Sequence, residues 1–288
     1  VIAELAELGF NGLAYGIVLF FMACGLSITM GLMGFANLAH GATAMLGGYV
    51  LVVAMRDLGL PFLASLPAAF AVAAIAGALF EMTICRRLHA AGELDQVLLT
   101  IGVVFMAIAS ATFGFGAGQQ AIVMPGYLTG RVAFGPIEVS AYRLFLLALG
   151  AAITIGLVTA LERSRLGVRI RAAVDNRAMT TACGIDVGRL FTVVFALGSG
   201  LGGLGGALSV NLVGLDPSFP LKYLVFIMIV VTVGGFGSMT GTLVAALLLG
   251  LADVACKYFL PEAGAFAIFA VTAVVLYWRP QGLFGRLA

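Results

Sequence analysis

The chain is dominated by runs of about twenty apolar residues separated by short polar breaks. A helix needs roughly 20 such residues to cross the hydrocarbon core of a bilayer. Runs at 9–33, 37–55, 61–85, 94–117, 141–161, 189–212, 221–235, 239–258 and 264–278 meet or approach that length. The 221–235 run is short, and "VGGFGSMTG" at 233–241 reads as the tip of a broken or re-entrant segment. Charged residues make up 10% of the chain, against about 25% in soluble domains. The expected fold is therefore an all-α polytopic integral membrane protein of about 8–9 transmembrane helices in one domain, 1–288.

Basic residues set the expected orientation. Arg86 and Arg87, then Arg163, Arg165, Arg169, Arg171, Arg177 and Arg189, then Arg279 and Arg286 share one side. Arg56, Arg131, Arg143, Lys222 and Lys257 take the other. The positive-inside rule places the first group in the cytoplasm, with the C-terminus inside and the N-terminus outside. No secretory leader is expected, since the first apolar run is long and has no basic residues before it. Two loops are long enough to carry structure. The 118–140 loop, rich in Pro and Gly, predicts an extracytoplasmic hairpin or cap. The 162–188 loop is the cytoplasmic one.

Within 162–188, "VRIRAAVDNRAMTTACGI" has no breaker before Gly184, and its alanines favour helix. Gly184 stands where a helix C-terminal cap is expected. Val168, Ala172 and Met179 are expected on one face, with Arg169 and Arg177 displayed elsewhere. Such a helix suits a basic anchor on anionic lipid or a docking helix for a cytoplasmic partner. Asp175, Asn176 and Asp186 interrupt the positive charge and favour docking.

Four stretches resemble, in order, permeases of branched-chain amino acid ABC importers of the LivH type. They are "GFANLAHGATAMLGGYV" (34–50), "RIRAAVDNRAMTTACGID" with the following "FTVVFALGSGLGGLGGAL" (169–208), "VTVGGFGSMTGTLVAALLLGL" (231–251) and "WRPQGLFG" (278–285). The resemblance implies a transporter subunit and not an enzyme, in a bacterial-type inner membrane. It implies four kinds of partner: a second permease (a paralogue or a copy of itself), two cytoplasmic ATPases, an extracytoplasmic binding protein and membrane lipid, with no nucleic acid. ATP and Mg would be bound by the ATPases, with no cofactor in this chain. The 162–188 helix would couple to the ATPase through Arg169, Arg171, Asp175, Asn176, Arg177, Met179 and Gly184.

Other motifs point the same way. "GSGLGG" at 198–203 matches a dinucleotide fingerprint literally but lies inside an apolar span, without the strand that such a site needs. Gly198, Gly202 and Gly206 instead form a stripe for close helix packing. No P-loop is present, so energy must come from a partner or a gradient. Carriers driven by ion gradients usually hold ionisable groups inside the membrane. Here only His40 falls well within a span; Glu81, Glu93 and Asp95 sit near one boundary, and Lys222, Asp253 and Lys257 near the other. The two histidines, His40 and His89, are on different segments and no carboxylates pair mid-membrane, so no catalytic constellation is expected. The four cysteines form no CxxC pair and suit neither zinc nor a disulfide framework.

"GLMGFANLAHG" and "VGGFGSMTG" share a Gly-Phe, a small polar residue and a glycine. Broken helices of this kind line transporter paths near the midplane. Asn37 and His40, three apart, would share a helix face, and Ser238 and Thr240 are the matching pair. Thr100, in "LDQVLLTIGVVF", is a further candidate for the path. The alternative for each is a close helix contact with its polar groups satisfied. The function expected is inward movement of branched-chain or other small apolar amino acids. Alternatives are the same machinery for urea, short amides or another small solute, a stand-alone carrier or channel, and a membrane scaffold.

Overall fold

The computed structural model describes residues 2–33, 37–88, 92–135, 137–262 and 264–285. His89, Arg286 and residues 34–36 of the glycine-rich stretch lie outside them. The chain is a helical bundle. α1 is Ile2–Met33 and α2 is His40–Arg56. α3, Phe62–Phe80, runs on through a wide π-helical turn, Glu81–Cys85, and a last turn, Arg86–Leu88. α4 is Glu93–Phe115. A one-turn helix, Gly126–Thr129, precedes an antiparallel hairpin, β1 (Arg131–Phe134) and β2 (Ile137–Ser140), in which Arg131 pairs with Ser140 and Val132 with Val139. Then follow α5 (Ala141–Arg163), α6 (Arg165–Asp175), α7 (Arg177–Ala182), α8 (Val187–Val213), α9 (Phe219–Gly234), α10 (Met239–Phe259) and α11 (Ala267–Trp278). The 118–140 loop thus holds the hairpin, and the 162–188 loop holds α6 and α7.

Among the described residues, six helices are long and apolar enough to cross a membrane: α1, α3, α4, α5, α8 and α10. α2, α9 and α11 have 17, 16 and 12 residues. At 1.5 Å rise per residue they reach roughly 25, 24 and 18 Å, short of a core about 30 Å thick. The nine expected apolar segments are all helical, but three of them are partial spans.

α8 is the hub. Glycines strip its surface of side chains, so neighbours approach to backbone contact. A Cβ on Gly198 would meet the backbone of Gly25 in α1 at 3.0 Å. On Gly206 it would overlap the Ala44 carbonyl of α2, and on Gly203 it would overlap the Ala73 methyl of α3. α10 packs antiparallel on α1 in the same way, with Gly12 and Gly16 against Gly250 and its neighbours at one end and Gly31 against Gly237 at the other. The largest apolar cluster among the described residues joins these helices, with Phe20, Phe21, Phe62, Phe219 and Leu208 among its fully buried side chains. Tyr142 of α5 ties in by donating to the Leu208 carbonyl at 2.6 Å.

Candidate functional site

The arginine-rich end is built from three helix starts, each capped by a short polar side chain. Ser164 Oγ accepts from the Gly167 N–H, Asn176 Oδ1 from Met179, and Asp186 Oδ1 from Arg189, at 2.9–3.1 Å. Such caps satisfy N–H groups that a helix leaves orphaned. The 162–188 segment is therefore two helices, α6 and α7, bent at Asn176. α7 ends at Gly184, whose φ of +80° suits glycine and whose N–H reaches Thr181.

The inward face continues past the bend to Thr180 of α7. Gly167, Ile170 and Ala173 face inward, and Ile170 and Ala173 pack with Ile28 of α1 and with Val187, Leu190, Phe191 and Val194 of α8. Val168 and Met179, expected to share a face with Ala172, are 56% and 64% exposed. Arg169, Arg171, Asp175, Asn176 and Arg177 are also exposed, with the Arg177 guanidinium 5.1 Å from the Phe191 ring centre. The outer face thus presents mixed charge and two apolar side chains.

Behind α6 lies a cavity of about 480 Å³. Its walls include Arg171, Val174 and Asp175 of α6, Ile28 and Gly31 of α1, the turn residues Phe236–Thr240, and Phe284 of the C-terminal segment. Ser238 caps α10 by accepting from the Gly241 N–H at 3.1 Å. The structure thus brings Ser238 and Thr240 together with Arg171 and Asp175, two pairs more than sixty residues apart in the chain.

Asn37 and His40 lie elsewhere, at a break near mid-bundle. They do not share a helix face. Asn37 precedes α2, in a turn where its Oδ1 accepts from the Ala39 N–H at 3.1 Å and its carbonyl from the His40 N–H at 3.3 Å. This Asx turn replaces the expected helical turn. The His40 ring lies against Gly25 of α1 and Gly202 of α8, so α2 starts at the depth of the middle of α8. Asn37 Nδ2 and His40 Nε2 are buried and lack a hydrogen-bond partner among the described residues. Gly41 touches Pro220 and Gly48 touches Leu215, so the chain leaving α8 runs back along α2 and starts α9 at that same depth. The first turns of α2 and α9 therefore meet inside the bundle. Thr100 is on neither feature: its Oγ1 faces the Gln96 and Val97 carbonyls of its own helix, at 2.9 and 3.0 Å.

At the opposite end, Arg56 bonds Asp57 at 2.8 Å and reaches Gln120 at 3.3 Å. The hydrogen bond from Arg56 holds the exposed Asp57 carboxyl below its usual range.

One polar cluster escaped the sequence reading. Glu81 is 1% exposed, and its Oε2 accepts from Thr192 Oγ1 of α8 at 2.5 Å. Arg86 Nη2 is 3.0 Å from that hydroxyl and 3.7 Å from Glu81. The signal in the sequence is a carboxylate inside an apolar run, followed by two arginines.

A glycine-packed membrane bundle with two short helices that begin inside it and a charged amphipathic pair over one mouth is built as a membrane permease. Residues 8–277 match the family described as "Branched-chain amino acid transport system / permease component", and the chain belongs to that family. It is a transporter subunit, not an enzyme. It is 26% identical over 289 residues to the high-affinity branched-chain amino acid transport system permease protein BraD of Pseudomonas aeruginosa, covering 96% of this chain and 94% of that one. It is 24% identical over 293 residues to LivH of Escherichia coli (strain K12), with the same coverage. It is also 24% identical to LivM of that strain, covering 91% of this chain and 66% of LivM. Among solved structures, the fold is shared with a chain of "PsaBC from Streptococcus pneumoniae in complex with Fab", with a TM-score of 0.53, 15% identity and 96% and 95% coverage.

Proposed function

We propose that the chain is the permease subunit of an ABC importer that carries branched-chain or other small apolar amino acids into the cytoplasm, driven by ATP hydrolysed in partner subunits. The observation that carries this reading is the seating of α6. Its inner face is packed on α1 and α8, its outer face is charged and exposed, and its flank walls a cavity shared with Ser238 and Thr240. A load applied to the outer face therefore bears directly on the helices around that cavity.

In this reading α6 and α7 couple to the ATPase through Arg169, Arg171, Asp175, Asn176, Arg177 and Met179, with Gly184 ending the unit. The excess of arginine places this end in the cytoplasm. An extracytoplasmic binding protein delivers solute at the hairpin end, and a second permease completes the membrane part. The likeness to both LivH and LivM favours a paralogue as that second permease. ATP and Mg bind the ATPases and nothing in this chain. Solute passes the break at Asn37 and His40, where Asn37 Nδ2 and His40 Nε2 have hydrogen-bond partners to gain, and leaves past Ser238 and Thr240. Gly198, Gly202 and Gly206 serve packing, as does Thr100.

The test is purification with co-expressed partners and reconstitution into vesicles, scanning amino acids and small amides. ATP-dependent uptake of branched-chain amino acids is expected, and Asp175→Arg or Met179→Asp should cut ATPase co-purification at least tenfold. Uptake without an ATPase, or an ATPase that binds both variants normally, overturns the reading.

A further inference from the structure

A carboxylate buried within an apolar bundle is costly to keep unless it is paired and hydrogen-bonded. Glu81 meets both conditions through α8 and its own helix, and the arrangement has an unusual property. Its donor, Thr192, has a second acceptor in reach: the Gly188 carbonyl, one turn earlier in α8, lies 3.2 Å from the same Oγ1. Its counter-charge, Arg86, stands 3.7 Å away and meanwhile bonds Thr192, with Gly188 O at 3.5 Å. Every group in the cluster therefore has an alternative partner already at hand.

The location matters as much as the chemistry. Glu81 opens the π-helical turn of α3, a distortion that recurs at functional sites and here precedes Cys85, which is buried beside Phe195. Gly188 and Thr192 lie in the first turns of α8, directly after the α6–α7 pair. Val187, Leu190, Phe191 and Val194 of those same turns pack on α6. The start of α8 is thus held by α6 on one side and by Glu81 of α3 on the other.

We propose that Glu81, Thr192 and Arg86 form a two-position latch that carries displacement of the α6–α7 pair, through the start of α8, to α3. In the closed position seen here Thr192 donates to Glu81. In the released position Thr192 turns to the Gly188 carbonyl and Arg86 closes on Glu81 as a direct ion pair, so no buried polar group is orphaned. Glu81 is a positioning residue: it touches no solute and acts through α8. The purpose of the movement rests on the permease reading above; the latch itself does not.

Two measurements test it. With Cys24, Cys183 and Cys256 replaced by alanine, N-ethylmaleimide labelling of Cys85 in the full-length chain reports separation of α3 from α8. Two variants disrupt the cluster, Glu81→Gln and Thr192→Val. Thr192→Val, which leaves the Glu81 charge beside the Cys85 thiol in place, should speed labelling at least tenfold, with Thr192→Ser within about twofold of the parent, and an unchanged rate in Thr192→Val overturns the latch. In vesicles with the ATPase, both disruptive variants should still assemble and hydrolyse ATP, while solute moved per ATP falls at least fivefold. A purely structural role lowers both activities in proportion and leaves that ratio at the parent value, which overturns the coupling role. Parent protein that shows no ATP-driven uptake overturns the permease reading instead, and the labelling result still decides the latch.

Discussion

α8 and α4 are both long apolar helices, yet they live in different surroundings. In the spanning part of α8, 83% is buried inside the chain; in that of α4, 17% is. The difference lies in where small residues stand. α8 puts glycine at 198, 200, 202, 203, 205 and 206, so it accepts α1, α2 and α3 on several sides at once. α4 carries Leu94, Leu98, Phe105, Met106 and Phe113 outward, while its two outlying glycines, Gly102 and Gly114, meet nothing within 4 Å. An apolar composition thus serves opposite ends: in α8 it fills the inside of the bundle, and in α4 it suits contact with lipid or another subunit. Within lipid no hydrophobic force draws helices together, so closeness of packing decides which helix becomes central.

Three substitutions sharpen that contrast. The largest effect belongs to Gly206→Val, which drives a branched side chain into the Ala44 backbone of α2. Overpacking costs about 1–3 kcal/mol where side chains can yield, and backbone yields less. Loss of most folded protein is expected, measured as monodisperse yield in detergent. Tyr142→Phe comes next: it removes the side-chain hydrogen bond to the buried Leu208 carbonyl at the edge of the hub. A loss of about 0.5–1.5 kcal/mol, seen as a lower Tm, is expected. Phe113→Ala, at a side chain 95% exposed, should change the stability of the isolated chain by less than about 0.5 kcal/mol. A large drop in Tm for that last variant would show that α4 is packed within the chain after all.

Most of the bundle was legible in the amino-acid order, because a membrane helix announces itself through length and hydropathy. Depth was not. Nothing in 37–55 or 221–235 says that α2 and α9 begin halfway along α8; that follows from Gly41 meeting Pro220 and from His40 lying on Gly202, contacts between distant segments. The Asn37–His40 spacing suggested a helix face, but the asparagine's own Asx turn took precedence. In the 162–188 loop the helix was visible but its phase was not. The cap at Asn176, written in the sequence as an asparagine three residues before Met179, divides it, and the inward positions fall on Ile170, Ala173 and Thr180. The cavity joining Arg171 and Asp175 to Ser238 and Thr240 is a tertiary fact with no local trace. Glu81 was visible as a charge near a boundary, while Thr192, its partner, looked like any threonine in a span.

The meeting of α2 and α9 has an electrostatic consequence. The N-terminus of a helix carries roughly half a positive elementary charge from its aligned peptide dipoles. Two such ends at one depth inside the bundle add their fields where the surrounding medium screens them less than water does. That level of the bundle is hostile to a bare cation or a stray proton and tolerant of a carboxylate. The charge that the first turn of α9 does carry, Lys222, is matched there by the Asp216 carboxylate at 2.5 Å.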